Sequence, residues 1–297
     1  MCSTLRSGEL RRTKWISSSN DSSELQGLHR DLQNFYSGSK RYPYQAMLDQ
    51  QDEDDFQKHT PVKAVIDWIS DLEPSSILEV GCSSGRAYRA LKNREFSERY
   101  TGCDVSESVI AKNRDLCPEA TWVTSQVYQL PFESGMFDVC FSLYVVEHLV
   151  YPEKALTEML RVTKEGGYTL LLFPDFQETG MFASQQAGFS FGRTSEKLKQ
   201  GKLLDALVTF YDNRFRFPWL LNRLKTDMQG FFVNLQPACL YYPHLARPDY
   251  DAVYIASKAE VIDWAEKQDH EVSLPKGERG MFRDHAFVAI GKGSSVE

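Results

Sequence analysis

The sequence lacks long apolar runs. No stretch approaches the ~18–20 residues that a membrane span needs, and the first residues lack the apolar segment of a secretory signal. Paired cysteines are missing too. Cys2, Cys82, Cys103, Cys117, Cys140 and Cys239 lie far apart and form no C-x-x-C. This argues against a disulfide framework or a zinc ribbon and fits reduced thiols in a cytoplasmic protein; no metal is expected. Basic excess is absent: 34 Lys and Arg stand against 41 Asp and Glu, a net charge of −7. No global charge therefore attracts nucleic acid. Internal repeats and heptads are absent as well, and nothing in the chain sets an oligomeric state. Residues 1–25 lack any hydrophobic periodicity and read as a polar, Ser-rich disordered tail. Because Glu9 is the one acid among the first twenty residues, an organellar transit segment is the lesser alternative.

What the sequence does have is a core. Its 297 residues are 42% apolar and 12% aromatic, enough for one large domain or a domain with an insertion. Leu28, Leu32, Phe35, Tyr36, Tyr42 and Tyr44 predict a short helix and an aromatic segment. The acidic run 52–55 reads as a solvated helix start, and Val62, Val65, Ile66 and Ile69 give a helical stripe. Buried strands are then predicted at 77–80, 100–105, 121–124, 137–144 and 168–173, with helices between them. The helix from Pro152 to Thr163 is closed by Gly166-Gly167. This alternation implies a doubly wound, mostly parallel sheet.

From Pro174 the rhythm breaks. Residues 176–250 hold 14 aromatics in 75 positions and nine Lys/Arg against six Asp/Glu, with helical stretches at 195–210 and 218–229. An insertion on the ligand side of a sheet reads as a lid or substrate platform. The pattern then resumes with a helix over 257–267 and strands at 270–274 and 285–290, an antiparallel pair with one strand inserted beside the fifth. The resulting division is a tail (1–25), an α/β core with N-terminal helices (26–174), a lid insertion (175–256), and the last helix and strands of the core (257–297).

The chain is organised around Ser76–Arg86, a buried strand that breaks into Gly81-Cys-Ser-Ser-Gly85 and feeds a helix. Such a junction opens a crevice for a nucleotide-like ligand. A dinucleotide fold wants a glycine at position 83, where the backbone meets pyrophosphate; here it is Ser83. Asp104, at the end of the second strand, is placed to accept from both hydroxyls of a ribose. The ribose reader is kept and the phosphate cradle weakened, which favours S-adenosylmethionine (SAM) over NAD.

These residues resemble a known family. Leu78 to Gly85, Gly102-Cys-Asp104-Val-Ser106, Leu130-Pro131-Phe132 with Phe137-Asp138, and Val146-Glu147-His148 through Pro152 to Gly167 fall in order. In this the chain is similar to class I SAM-dependent methyltransferases of the ubiquinone/menaquinone methyltransferase group, the type 11 methyltransferase domain. The resemblance implies a Rossmann-like seven-stranded sheet whose last strand is antiparallel. It implies SAM as cofactor and S-adenosylhomocysteine as product. It also assigns roles: Glu79 to the methionine amino end, and Gly81, Cys82 and Gly85 to the loop under methionine and ribose. Asp104 takes the ribose hydroxyls and Val105 the adenine. Gln126 stands where the family has an acid for adenine N6, with Val127 beside it, and Tyr144 lies near the sulfonium.

Transfer from a sulfonium is an in-line displacement, so positioning and desolvation do most of the work. A base is needed only where the acceptor loses a proton. His148, after the fourth strand, is the foremost candidate, against a purely structural histidine. In the insertion, Tyr211, Tyr241, Tyr242 and His244 are substrate candidates, and Arg214 and Arg216 lie among aromatics that fit an anionic group. The aromatic bias favours a small apolar or aromatic methyl acceptor, with O-, N- and C-methylation left open. A quinone-ring or lipid acceptor is the nearest alternative, and a non-catalytic SAM-fold scaffold is the alternative of another class.

Overall fold

Alternating helical and strand periods build a three-layer α/β unit in the computed structural model. It describes residues 15–19, 22–37, 60–180, 182, 194–227, 230–241, 249–274, 282 and 284–293. The chain opens with β1 (Trp15–Ser17), α1 (Ser23–Tyr36), α2 (Thr60–Leu72), β2 (Ile77–Val80) and α3 (Arg86–Lys92). It continues through β3 (Tyr100–Asp104), α4 (Glu107–Leu116), β4 (Thr121–Thr124), β5 (Phe137–Leu143), α5 (Pro152–Val162) and β6 (Thr163–Pro174). The insertion adds α6 (Phe176–Thr179), α7 (Thr194–Lys199), α8 (Leu203–Tyr211), a π-type turn over Asp212–Arg216, α9 (Phe217–Asp227), β7 (Phe232–Asn234) and α10 (Ala238–Tyr241). Then follow α11 (Lys258–Glu266), β8 (Glu271–Ser273) and β9 (His285–Gly291).

Seven strands form one sheet in the order β4-β3-β2-β5-β6-β9-β8. The first five are parallel, and β9 runs antiparallel to both its neighbours. This is the expected doubly wound sheet, with the last strand inserted beside the fifth. Strand period 2 sends alternate residues of β2 to opposite layers. Leu78 and Val80 pack with Leu156 and Met159 of α5 and Val288 and Ile290 of β9. Ile77 packs instead with Val62 and Ile66 of α2, Tyr88 and Leu91 of α3 and Phe287. Leu170, Leu171 and Leu172 of β6 are all buried because both faces of a parallel sheet are covered. Each such side chain contributes about 1.5–3 kcal/mol of burial.

Chain order reverses between β2 and β5, the neighbours at the centre of the sheet. The carboxyl ends of these two strands bound the crevice in which open α/β sheets bind ligands. Thus the topology puts the loop after β2 beside the turn after β5.

Four expectations need correction. The tail reading of 1–25 fails at residues 15–17 and 23–25. Strand β1 pairs antiparallel with β7, Trp15 opposite Asn234 and Ser17 opposite Phe232. Ser18 Oγ donates to the carboxylate of Glu153, and Ser22 caps α1 by accepting from Leu25 N at 3.3 Å. A three-residue strand whose partner lies more than 200 residues away leaves no periodic signal. Second, α1 does not pack on the sheet as part of a 26–174 core. Its Leu25, Leu28, Leu32 and Phe35 bury against Val150, Tyr151, Val233 and Tyr250, a small separate core shared with the insertion. Third, Gly166-Gly167 does not stop the preceding helix. Thr163 is already extended (ψ 137°), and the two glycines bend β6, where a Cβ on Gly167 would meet the Asp138 carbonyl. The predicted helix over 195–210 is two helices, broken at Gly201 (φ +71°). Tyr42, Tyr44 and the acidic run 52–55 lie outside the described residues.

Candidate functional site

The loop after β2 is built by backbone conformations that ordinary residues avoid. Gly81 and Gly85 have φ of +76° and +74°, and Ser83 between them has φ +46°. A Cβ on Gly81 would overlap Val145 Cγ2, just after β5; one on Gly85 would lie 2.9 Å from the ring of Trp122. Glycine is therefore required at both positions, by φ and by space. Ser83 adopts the left-handed region at a cost of roughly 1–2 kcal/mol. Two bonds hold it there: its N–H donates to Asp104 Oδ2 at 3.0 Å, and its carbonyl accepts from Asn113 Nδ2 at 2.8 Å. The loop is anchored at its start as well, because Gly81 N and Cys82 N both donate to the Cys103 carbonyl.

Asp104 ends β3. Its Oδ2 accepts from Ser83 and its Oδ1 from Ser106 N at 2.9 Å. Each oxygen keeps a second acceptor site, which is what a pair of adjacent hydroxyls needs. Burial raises its pKa, and the backbone N–H groups of Ser106, Ser83 and Val105 oppose the rise. Glu79, on the face of β2 opposite Leu78 and Val80, accepts from the Tyr100 hydroxyl. Burial pushes its carboxyl up to about 8, with the Tyr100 bond opposing. Cys82 is different: its side chain packs in the core with Tyr88 and Tyr100, its N–H is taken by Cys103, and its carbonyl accepts from Gly85 N at 2.9 Å. The residue shapes the loop from beneath. Val105 is half-buried, and Gln126 is exposed one residue past Ser125, whose N–H donates to the Asp104 carbonyl. Val127 packs on the main core.

The opposite wall of the crevice follows β5. Tyr144 also takes a left-handed conformation (φ +57°). Its N–H donates to the Leu172 carbonyl at 2.7 Å, and its ring meets His285 edge-on at 5.6 Å. Strain of this kind concentrates at functional sites. Next comes a single tight helical turn over Val146–His148. Glu147 is fully buried, and neither carboxylate oxygen has a hydrogen-bond partner among the described residues. Burial pushes it up to about 8, with His148 opposing. His148 stands between two acids, Nε2 3.7 Å from Glu147 Oε1 and Nδ1 3.6 Å from Asp251 Oδ2. Asp251 also accepts from the Tyr36 hydroxyl at 3.1 Å, and Tyr36 meets the His148 ring edge-on. Burial lowers the His148 pKa, but Asp251, Glu147 and Asp249 together raise it above its ordinary value. Asp249 itself is pushed up to about 6 by burial. Among the described residues, no group of three or more His, Cys, Asp or Glu is placed to hold a metal ion.

The crevice thus brings together Glu79, Gly81, Gly85, Asp104, Tyr144 and the His148 turn. It does not gather the substrate candidates of the insertion. Tyr211 and Arg214 are exposed on the outer side of the helical insertion, with no hydrogen bond or ion pair to the loop among the described residues. Their helical spacing gave no sign of which face is outward. Arg216 pairs with Asp212. Tyr241 ends α10, and Tyr242 and His244 lie outside the described residues. Sequence reasoning missed Tyr100, Asn113, Val145 and the pair Asp249 and Asp251. Each acts across a long loop, so spacing carries no trace of it.

Residues 78–171 match the model of a methyltransferase domain family. The ubiquinone/menaquinone biosynthesis C-methyltransferase UbiE of Cereibacter sphaeroides is 30% identical over 116 residues, 37% of this chain and 46% of that protein. The tRNA (carboxymethyluridine(34)-5-O)-methyltransferase of Xenopus tropicalis is 26% identical over 181 residues, 55% of this chain and 28% of that protein. The chain spans about half or less of the length of these relatives. A chain of the complex between the Haloferax volcanii Trm112 methyltransferase activator and a methyltransferase superposes with a TM-score of 0.50, at 12% identity, covering 86% of this chain and all of that one. That likeness is one of fold. Over residues 78–171 the chain is thus similar to the methyltransferase domain of class I SAM-dependent methyltransferases.

Proposed function

We propose that the protein transfers a methyl group from SAM to a small apolar or aromatic acceptor. The observation that carries this reading is the joined unit of Gly81–Gly85 and Asp104. Its two positive-φ glycines let the loop turn tightly between Val145 and Trp122, and its carboxylate keeps acceptor sites for a ribose. Glu79 serves the methionine amino group, Gln126 and Val127 the adenine, and Val105 the face of the ring. Tyr144, held in a strained conformation at the end of β5, lies where the sulfonium would be. No metal is needed for an in-line displacement at a methyl already activated by the sulfonium.

His148 acts as the base when the acceptor carries an ionisable hydroxyl. Asp251 and Glu147 flank the imidazole and favour its protonated form, so it can hold a proton that leaves the acceptor. A phenol or a quinol ring fits this chemistry, and the similar UbiE protein is by its name a C-methyltransferase of quinone biosynthesis. An RNA acceptor, as in the tRNA-modifying relative, finds less support because the chain carries a net charge of −7. The insertion over 175–256 serves as lid and acceptor platform. Calorimetric titration with SAM tests the cofactor reading: a folded sample that gives no heat overturns it. Transfer of labelled methyl from SAM to a panel of apolar phenols, quinols and amines tests the acceptor. Binding of SAM with no transfer to any of them would favour a scaffold.

A further inference from the structure

The insertion contains a helix built inside out. Soluble helices turn apolar residues inward and polar ones to water. Helix α8 does the reverse. Asp205, Ala206 and Thr209 face the interior, while Leu203, Leu204 and Leu207 are 62%, 74% and 63% exposed. The interior polar groups are satisfied, because the buried ammonium of Lys197 reaches Thr209 Oγ1 at 2.6 Å and Asp205 Oδ1 at 3.3 Å. The inverted orientation is thus locked by a buried ion pair, not by loose packing.

The outward apolar face does not end with α8. Tyr211, Phe215 and Trp219 continue it at helical spacing through the π-type turn into α9, each at least half exposed. The inner face of α9 is equally apolar, but Phe217, Leu221 and Leu224 are buried in the main core. Of the twelve large exposed apolar side chains among the described residues, eight fall between Leu198 and Trp219. The outer row follows a convex helical rod of about 24 Å (16 residues at 1.5 Å each), so it is a ridge and not a groove.

The charge around the ridge is mostly of one sign. Lys199 and Lys202 stand at one end, Arg214 alongside, and Arg223 at the other end with its guanidinium 5.8 Å from the Trp219 ring. Among the side chains described over 194–226, Glu196 is the one exposed acid, since Asp205 and Asp212 are buried in pairs with Lys197 and Arg216. This basic rim sits on a chain whose net charge is −7. A convex apolar ridge with Trp and Tyr, edged by Lys and Arg, has the chemistry of a helix lying in the headgroup layer of an anionic bilayer. It is too short to span one, and no helix among the described residues is long and apolar enough to do so.

We propose that the outer face of α8 and α9 docks the protein onto an anionic lipid surface. The decisive experiment is co-sedimentation of the full chain with vesicles of phosphatidylcholine alone and of phosphatidylcholine mixed with phosphatidylserine, at low and high salt. Wild type is expected on the mixed vesicles, with binding weakened by salt. Leu204→Glu combined with Leu207→Glu is expected to lower that partition more than about a hundredfold. Arg214→Gln with Arg223→Gln is expected to lower it about twenty-five-fold, two basic contacts at roughly fivefold each. Heat of SAM binding, unchanged in both double variants, shows that they are folded. Equal binding to neutral and mixed vesicles, or binding indifferent to both double variants, overturns the proposal. So does a wild type that binds neither vesicle; a mass by light scattering of a dimer that the Glu variant breaks would then show that a second copy covers the ridge.

Discussion

Ser83 N–H donates to Asp104 Oδ2 at 3.0 Å, so the loop that would carry the cofactor and the acid that would read its ribose are one hydrogen-bonded unit. The same carboxylate accepts from Ser106 at the start of α4. Removing it loses a ligand contact and frees two buried donors at once. Asp104→Ala is expected to weaken SAM binding by about 2–4 kcal/mol, measured by calorimetry. An unchanged dissociation constant would remove Asp104 from the site.

The strain at Ser83 can be tested apart from the ligand. Its φ of +46° suits glycine better than serine, and its two bonds use only backbone atoms. Ser83→Gly should therefore raise the unfolding free energy by up to about 1 kcal/mol, the relief of left-handed strain less the added chain entropy. A β-branched Ser83→Val should lower it. Urea denaturation of the three proteins orders them, and a serine more stable than glycine would show that its side chain contributes.

Much of this was legible in advance, for a physical reason. Ile77, Leu78 and Val80, or Leu170 to Leu172, are runs that only a strand covered on both faces can bury. Gly81, Gly85 and Asp104 are local to strand ends, and a strand end is where a sheet of this order opens. What stayed hidden acts across the chain. Strand β1 exists because β7 offers it an edge, and α1 belongs with Val150 and Tyr250 because a crevice wall needs covering. Asp251 reaches His148 across about a hundred residues. The leucines of α8 misled for the opposite reason: helical period alone does not say which face is inward, and here Lys197 decides it.

The glycine at position 81 gives a sharper test of the crevice. Its neighbour there is the Val145 side chain, on the other side of the switch between β2 and β5. Gly81→Ala should abolish SAM binding, because the new methyl must displace Val145 and the residue must still adopt φ +76°. Adding Val145→Ala to it should recover part of the binding by making room. No recovery would mean that backbone conformation alone forbids the alanine.

His148 predicts a pH profile for an acceptor with an ionisable hydroxyl. Neighbouring acids raise its pKa above the ordinary 6.5, against the pull of burial. Methyl transfer should rise with pH through that raised value as the imidazole becomes free to take a proton. Asp251→Asn removes one of the charges that hold it up, so the rising limb should move to lower pH, with SAM affinity unaltered. A histidine that only packs against Tyr36 would leave the limb where it was.

Glu147 is pushed up to about 8 by burial with no hydrogen bond to its oxygens, and Glu79 also to about 8 despite the bond from Tyr100. In the unfolded chain both ionise near the ordinary 4.5. Between these values the folded protein holds protons that the unfolded chain has released, so stability falls as pH rises from about 4.5 to about 8. His148 adds to the same trend: its folded pKa lies above the unfolded value, so its contribution is full below 6.5 and is lost as pH passes the raised one. The melting temperature should therefore drop from pH 6 to pH 8.5 by several degrees. Glu147→Gln cannot ionise, so its melting curve should be flatter and should cross above wild type at the alkaline end. Were the slope the same in both proteins, Glu147 would not be the buried acid that the trend requires, and the Glu79–Tyr100 pair and His148 would have to carry it.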